Sequence, residues 1–200
     1  MITAEDVPLS GELKVSPGTI ITPTARDLAA VRGVAIVEMA QGEKLEALPA
    51  ARTIAIGSDH GGFQLKQLLK PVLEEAGLAI RDVGVTEEKA ADYPDIALQV
   101  AELVVSAAAA RGVIIDGAGI GSCMAANKVP GIRAALCYDK ASAKNSREHN
   151  DSNVLTLGGR LLTASQAEDV LRTWLSTPFG GGRHQARVQK IVDIERKYSK

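Results

Sequence analysis

Ile114-Ile115-Asp116-Gly117-Ala118-Gly119-Ile120-Gly121-Ser122-Cys123 is the stretch that decides the fold. A continuous apolar run ends in a carboxylate, and three alternating glycines then open a helix. Such a run, bounded by glycine, reads as a strand buried on both faces with Asp116 at its C-terminal edge. The glycines beyond it leave a ring of backbone N–H groups suited to an anion. From Gly117 the spacing is G-x-G-x-G, whereas a dinucleotide site asks for G-x-G-x-x-G with an acid about 20 residues further on. A small anion fits better than a nucleotide.

Outward from this stretch the pattern is regular. Strands are expected at Thr53–Gly57, Leu78–Val83, Gly112–Ile115, Arg133–Cys137 and Asn153–Leu157. Helices are expected at Gln64–Ala76, Ile96–Ala110, about Ser122–Lys128, Lys140–Glu148, Ala164–Leu175 and His184–Lys197, with a kink or break at Pro71. Apolar strands alternating with helices predict a Rossmann-like α/β/α sandwich around a mostly parallel five-stranded sheet. Right-handed crossovers bring the strand C-termini to one edge, where open α/β sheets carry ligands. Ser58-Asp59-His60-Gly61-Gly62 and Asp116 both fall on that edge. Gly180-Gly181-Gly182-Arg183-His184-Gln185-Ala186-Arg187 reads as a further wall of the same site, and the chain reads as an enzyme for a small phosphorylated substrate.

The first fifty residues have a different texture. Met1–Gly18 reads as irregular, Ala25–Val31 as two helical turns after the Thr22-Pro23 cap, and Val34–Glu38 as a short strand. Gly42–Ala51 reads as a linker, which divides the chain into an extension over 1–51 and a main domain over 52–200. Hydrophobic residues make up 46% and aromatics 3%, so the core is built from aliphatic side chains under close-packed helices. A net charge of -1 gives no basic excess for nucleic acid or a membrane surface. Cys123 and Cys137 do not suggest a disulfide scaffold, no window is apolar enough to span a membrane, and a cytoplasmic protein is expected.

Asp116 has two readings. It caps the following helix or hydrogen-bonds to the loop, or it is a general base whose pKa burial would raise toward neutrality. Asp59 and His60 either shape a turn or polarise a hydroxyl and move a proton during ring opening. His149-Asn150-Asp151 carries the same ambiguity. Asn127 and Lys128, near the end of the following helix, either orient the glycine loop or contribute charge. Arg183 and Arg187, four apart on a helix, face one side and can grip phosphate through fork-shaped hydrogen bonds; an ordinary solvated face is the alternative. There is no P-loop and no zinc-site spacing.

From about Thr53 to Tyr198 the chain resembles the ribose-5-phosphate isomerase B and galactose-6-phosphate isomerase subunit family. The landmarks are Gly57-Ser58-Asp59-His60-Gly61-Gly62-Phe63, Asp92-Tyr93-Pro94, Gly117-Ala118-Gly119-Ile120-Gly121 and Ala125-Ala126-Asn127-Lys128. They continue with Gly131-Ile132-Arg133-Ala134, His149-Asn150-Asp151-Ser152-Asn153-Val154 and Gly181-Gly182-Arg183-His184-Gln185. The resemblance implies aldose–ketose isomerisation of a sugar phosphate through an enediol, with no metal or cofactor. It also implies a homodimer with active sites at the subunit interface, a tetramer being the alternative assembly. In the carried-over site Asp59 and His60 lie near the sugar ring and His149 helps open it. Arg183, His184 and Arg187 hold phosphate; Gly117, Gly119, Gly121, Ser122, Asn127 and Asn150 complete the binding set.

This sequence departs from the family pattern. Many ribose-type members have a cysteine as base where Asp116 stands and a threonine where Ala118 stands. Another branch has a glutamate where Ser122 stands. Asp116 is then the candidate base, as its placement resembles the galactose-type A subunit. A noncatalytic sugar-phosphate-binding or partner subunit is the competing expectation, and galactose 6-phosphate the competing substrate. Gly18–Ile36 faintly resembles segments of bacterial microcompartment proteins, implying a shell or a companion enzyme as partner.

Overall fold

Three strands are buried along almost their whole length: β3 (Thr53–Ser58), β5 (Arg111–Asp116) and β7 (Val154–Gly158). Only a strand covered on both faces has that burial, so helices must lie above and below it. The computed structural model describes residues 2, 3, 7, 12–15, 19–38 and 52–199. With β4 (Ala79–Asp82) and β6 (Ala134–Leu136), these strands form a five-stranded sheet, all pairings parallel, in the order β4-β3-β5-β7-β6.

One face packs against α2 (Phe63–Glu75), α5 (Lys140–Glu148) and α6 (Ala164–Ser176), through Leu69, Leu73, Ala143, Leu171 and Trp174. The other packs against α3 (Tyr93–Val105) and α4 (Ile120–Ala126), through Ala97, Val100, Ala101 and Ala126. The last helix, α7 (Arg183–Tyr198), buries Val188 alone. The three-layer architecture is the one the alternating pattern predicts. From β3 the chain crosses one way to β4 and then returns past β3 to β5. That reversal makes the carboxyl ends of β3 and β5 the switch point of the sheet, where such folds bind ligands.

Two helical expectations are corrected. Helix α2 runs unbroken through Pro71, because Pro71 and Gln67 both face solvent, so water can hydrate the carbonyl that loses its donor. Helix α3 starts three residues earlier than expected, after Asp92 with Pro94 in its first turn, and ends at Val105 rather than Ala110. Its end is a left-handed residue, Ala107 at φ 58°, with the Ala109 N–H donating to Leu103 O at 2.9 Å.

The chain divides into two compact units, Met1–Ala47 and Leu48–Lys200. The expected linker over 42–51, and with it the expected boundary, lies outside the described residues. Within the smaller unit, β1 (Glu12–Val15) pairs in parallel with β2 (Ala35–Glu38), joined through α1 (Pro23–Arg32). A strand therefore stands inside the stretch expected to be irregular. Four residues are too few to carry a period, and β1 owes its place to pairing with β2. Thr22 caps α1 by accepting from the Ala25 N–H, and Gly33 ends it in the left-handed conformation. Val7, Ala25, Ala29 and Val34 form the unit's own small core.

Candidate active site

At the switch point the carboxyl end of β5 turns back on itself. Asp116 is buried, and both of its oxygens are occupied. Oδ1 accepts from the Ala118 N–H at 2.8 Å and from the Gly119 N–H. Oδ2 accepts from the Ser122 N–H at 2.9 Å and the Ser122 hydroxyl at 2.5 Å. A carboxylate offers about four lone-pair directions, and here each meets a donor of its own loop. The glycine loop does cradle an anion, but that anion is the side chain of Asp116. The N–H groups of Ala118, Gly119 and Ser122 are accordingly spoken for, and the carboxylate shows no lone pair free for a substrate proton.

Sequence dictates the shape of this loop. Gly119 sits at φ 78°, and a Cβ there would stand 2.6 Å from Leu136 Cδ1. A Cβ on Gly62 would stand 2.1 Å from Ile115 O, so the start of α2 can approach β5 only with glycine at that position. Asp59, at the end of β3, is 7% exposed, and its Oδ1 accepts from the Gly62 N–H at 3.0 Å. Among the described residues its Oδ2 has no partner. His60 is exposed on the same turn.

Two more side chains frame this edge without a clear sequence signal. Arg160 follows Gly158-Gly159 at the end of β7; its N–H donates to Gly117 O at 3.1 Å and its stem lies alongside Gly117. The glycine pair after an apolar strand was the available clue. Tyr138 donates its hydroxyl to Ala118 O at 2.9 Å.

The second expected cluster lies elsewhere. His149 caps the C-terminus of α5, which has run back from the carboxyl end of β6 to the amino end of β7. Its ring stacks on His184, centroids 4.1 Å apart and planes 8° apart. Asn145 Nδ2 lies within hydrogen-bond distance of His149 Nδ1, at 2.9 Å. Arg183 and Arg187 are exposed at the amino end of α7, and among the described residues neither forms an ion pair. The Gly180 N–H ties this segment to Glu148 O at 2.8 Å. The five residues of β7, at about 3.3 Å each, separate this group from the Asp59–Asp116 edge by roughly 16 Å. Within one chain, then, the arginine segment is not a wall of the switch-point site, because an α-helix between parallel strands ends at the opposite edge from where it begins.

Asn127 is a brace. Its Oδ1 accepts from the Ala134 N–H at 2.8 Å, while its Nδ2 donates to Cys123 O and Ala134 O, each at 3.0 Å. Asn150 is exposed beside a groove of about 520 Å³ also lined by Asn127, Arg133 and Asn145. Among the described residues no three His, Cys, Asp or Glu side chains group as metal ligands, and no helix is long and apolar enough to cross a membrane.

Partial desolvation, then the neighbouring His149, Arg183 and Arg187, hold the His184 imidazole below the ordinary histidine range. His184 therefore stays neutral at pH 7 and gains charge only on acidification below that range. An NMR titration should find its midpoint lowered, and His149→Gln should move it part of the way back up. An unshifted midpoint in the unsubstituted protein would contradict this environment.

Residues 54–191 match the family described as Ribose/Galactose Isomerase. The chain is 42% identical over 146 residues to ribose-5-phosphate isomerase B of Escherichia coli K12, covering 73% of this chain and 98% of that protein. Among solved structures, it is similar to ribose-5-phosphate isomerase B of Clostridium thermocellum at 50% identity and a TM-score of 0.72, covering 74% and 99% of the two chains. It is similar also to the Mycoplasma genitalium ribose-5-phosphate isomerase B with bound ribulose-5-phosphate, at 38% identity and a TM-score of 0.70, covering 72% and 97%.

Proposed function

The chain belongs to the ribose and galactose isomerase family, and from that premise we propose how its two polar edges share one reaction. The reaction is the aldose–ketose isomerisation of a phosphorylated sugar, with ribose 5-phosphate and ribulose 5-phosphate as the pair its relatives support. Ring opening exposes the C1 carbonyl, the C2–H bond becomes acidic, and an enediol carries the proton from C2 to C1. Asp59, His60 and the Gly117–Ser122 loop receive the carbonyl end. Arg183 and Arg187, with the neutral His184 between them, hold phosphate at the amino end of α7, where the helix dipole adds to the charge of the two arginines. His149, stacked on His184, assists ring opening.

A pentose phosphate is too short to reach both edges of one sheet. A second copy must bring its α7 to the carboxyl edge of the first, and twofold symmetry then makes two equal sites. Leu98 and Val105 on α3, with Ile120 and Met124 on α4, supply exposed apolar surface for that homodimer. The arrangement asks for a dimer and no more. Asp116 serves as the internal anion that shapes the loop, in place of the base role expected for it. The N-terminal unit, with Ile20 and Val31 exposed, is assigned to docking on a microcompartment shell or companion enzyme, in an otherwise cytoplasmic protein.

The observation that carries the substrate class is the pair Arg183 and Arg187, which among the described residues have no carboxylate partner. The double variant Arg183→Ala, Arg187→Ala should lose roughly 10²-fold or more in kcat/KM for ribose 5-phosphate, since charged hydrogen bonds are worth about 1.5–3 kcal/mol each. Its rate with unphosphorylated ribose should not change. Equal losses with and without the phosphate would remove the clamp from the account.

A further inference from the structure

The isomerase reading requires a base at C2, and the expected one is fully engaged by its own loop. We propose that the Asp59 carboxylate takes and returns the carbon-bound proton, and that Asp116 is a positioning residue. This rests on the isomerase reading and adds to it the identity of the proton carrier.

Place in the sheet comes first. Strands β3 and β5 are neighbours in register, with Ser58 opposite Ile115. Asp59 and Asp116 therefore follow a paired position, about one strand spacing of 4.8 Å apart along the same edge. The position a Cβ would take on Gly61 is 3.3 Å from Asp59 Oδ1 and 3.1 Å from Gly117 Cα, which puts the carboxylate beside the loop.

Occupancy comes second. Asp59 Oδ1 accepts one hydrogen bond, from the Gly62 N–H, which fixes the side chain's direction. Its Oδ2 makes none among the described residues. The remaining candidates at this edge are otherwise engaged or directed. Cys123 donates its thiol toward Ala134 O at 3.4 Å, and Tyr138 donates to Ala118 O at 2.9 Å. His60 projects from an exposed turn and suits the sugar hydroxyls better than a bond that must be shielded from water.

In the open-chain aldose, Asp59 Oδ2 takes the C2 proton. The C2–H electron pair becomes the C1=C2 double bond, and the carbonyl pair moves onto O1. The hydroxyl proton of O2 passes to O1 within the enediol. The Asp59 carboxyl returns its proton to C1, the O2 electron pair forms the ketone at C2, and no proton or electron is gained overall.

Asp59→Asn keeps an oxygen for the Gly62 N–H and removes the basic one, so the fold should survive, as a thermal melt can verify. Loss of tritium from C2 of labelled ribose 5-phosphate, counted as label arriving at C1 or in water, should fall by about 10²–10⁴-fold, the usual yield of a positioned base. KM should change little, and Asp59→Glu should recover part of the rate. Tritium leaving C2 in Asp59→Asn as fast as in the unsubstituted protein overturns this assignment and leaves the isomerase reading standing. Tritium that stays at C2 with the unsubstituted protein would overturn both.

Discussion

Asp116→Ala should lower the stability of the protein by roughly 3–5 kcal/mol. The substitution strands the N–H groups of Ala118, Gly119 and Ser122 and the Ser122 hydroxyl in a loop where Ser122 and Gly119 are buried. A buried donor left without an acceptor costs about 1–3 kcal/mol, and water entering the vacated space recovers part of the total. Against a typical stability of about 5–15 kcal/mol the loss is large. For a chain of this length it corresponds to a fall in Tm of about 10 °C. Urea denaturation measures the first quantity and calorimetry the second. Asp116→Asn should sit between, because its amide oxygen still serves Ala118 and Gly119 while its NH2 group confronts the Ser122 N–H. Amide exchange at Ala118, Gly119 and Ser122 should accelerate in both variants. An alanine variant that melts with the unsubstituted protein would mean that Asp116 does not hold the loop.

The architecture was largely legible because its signals are local. Val113-Ile114-Ile115 and Val154-Leu155 read as strands with both faces covered, and Leu65, Leu68, Leu69, Val72 and Leu73 showed the apolar stripe of a helix. Errors arose where solvent or chain geometry decided. Pro71 looked like a breaker, but its effect depends on whether the carbonyl one turn earlier can meet water. Ala107–Ala110 looked helical by propensity, yet Ala107 adopts the left-handed conformation that ends α3.

The site was legible in its members and less so in their grouping. Asp59, Asp116 and the glycines come together at the switch point, as their positions after β3 and β5 required. His149 and the arginine pair could be found by type, but which edge they occupy follows from the direction of α5, and adjacency in sequence conceals it. The direction of the Asp116 carboxylate was equally hidden, since a capping acid and a catalytic acid occupy the same position in the chain. Arg160 escaped because Gly158-Gly159 marks only a turn, while the contact that brings its side chain to the site is with Gly117, 43 residues away in sequence.

Subunit complementation tests most directly whether each site is built from two copies. Asp59→Asn disables the carboxyl edge and His149→Ala disables the opposite one, so either homodimer alone should be nearly inactive. When the two chains are unfolded together and refolded as an equal mixture, half of the dimers should be mixed. Each mixed dimer joins two intact edges in one site and two damaged edges in the other, so activity should return to about a quarter of the unsubstituted level. Such recovery, from two proteins that have almost none, is the predicted result. A refolded mixture that forms mixed dimers yet stays as inactive as its parents would contradict the account.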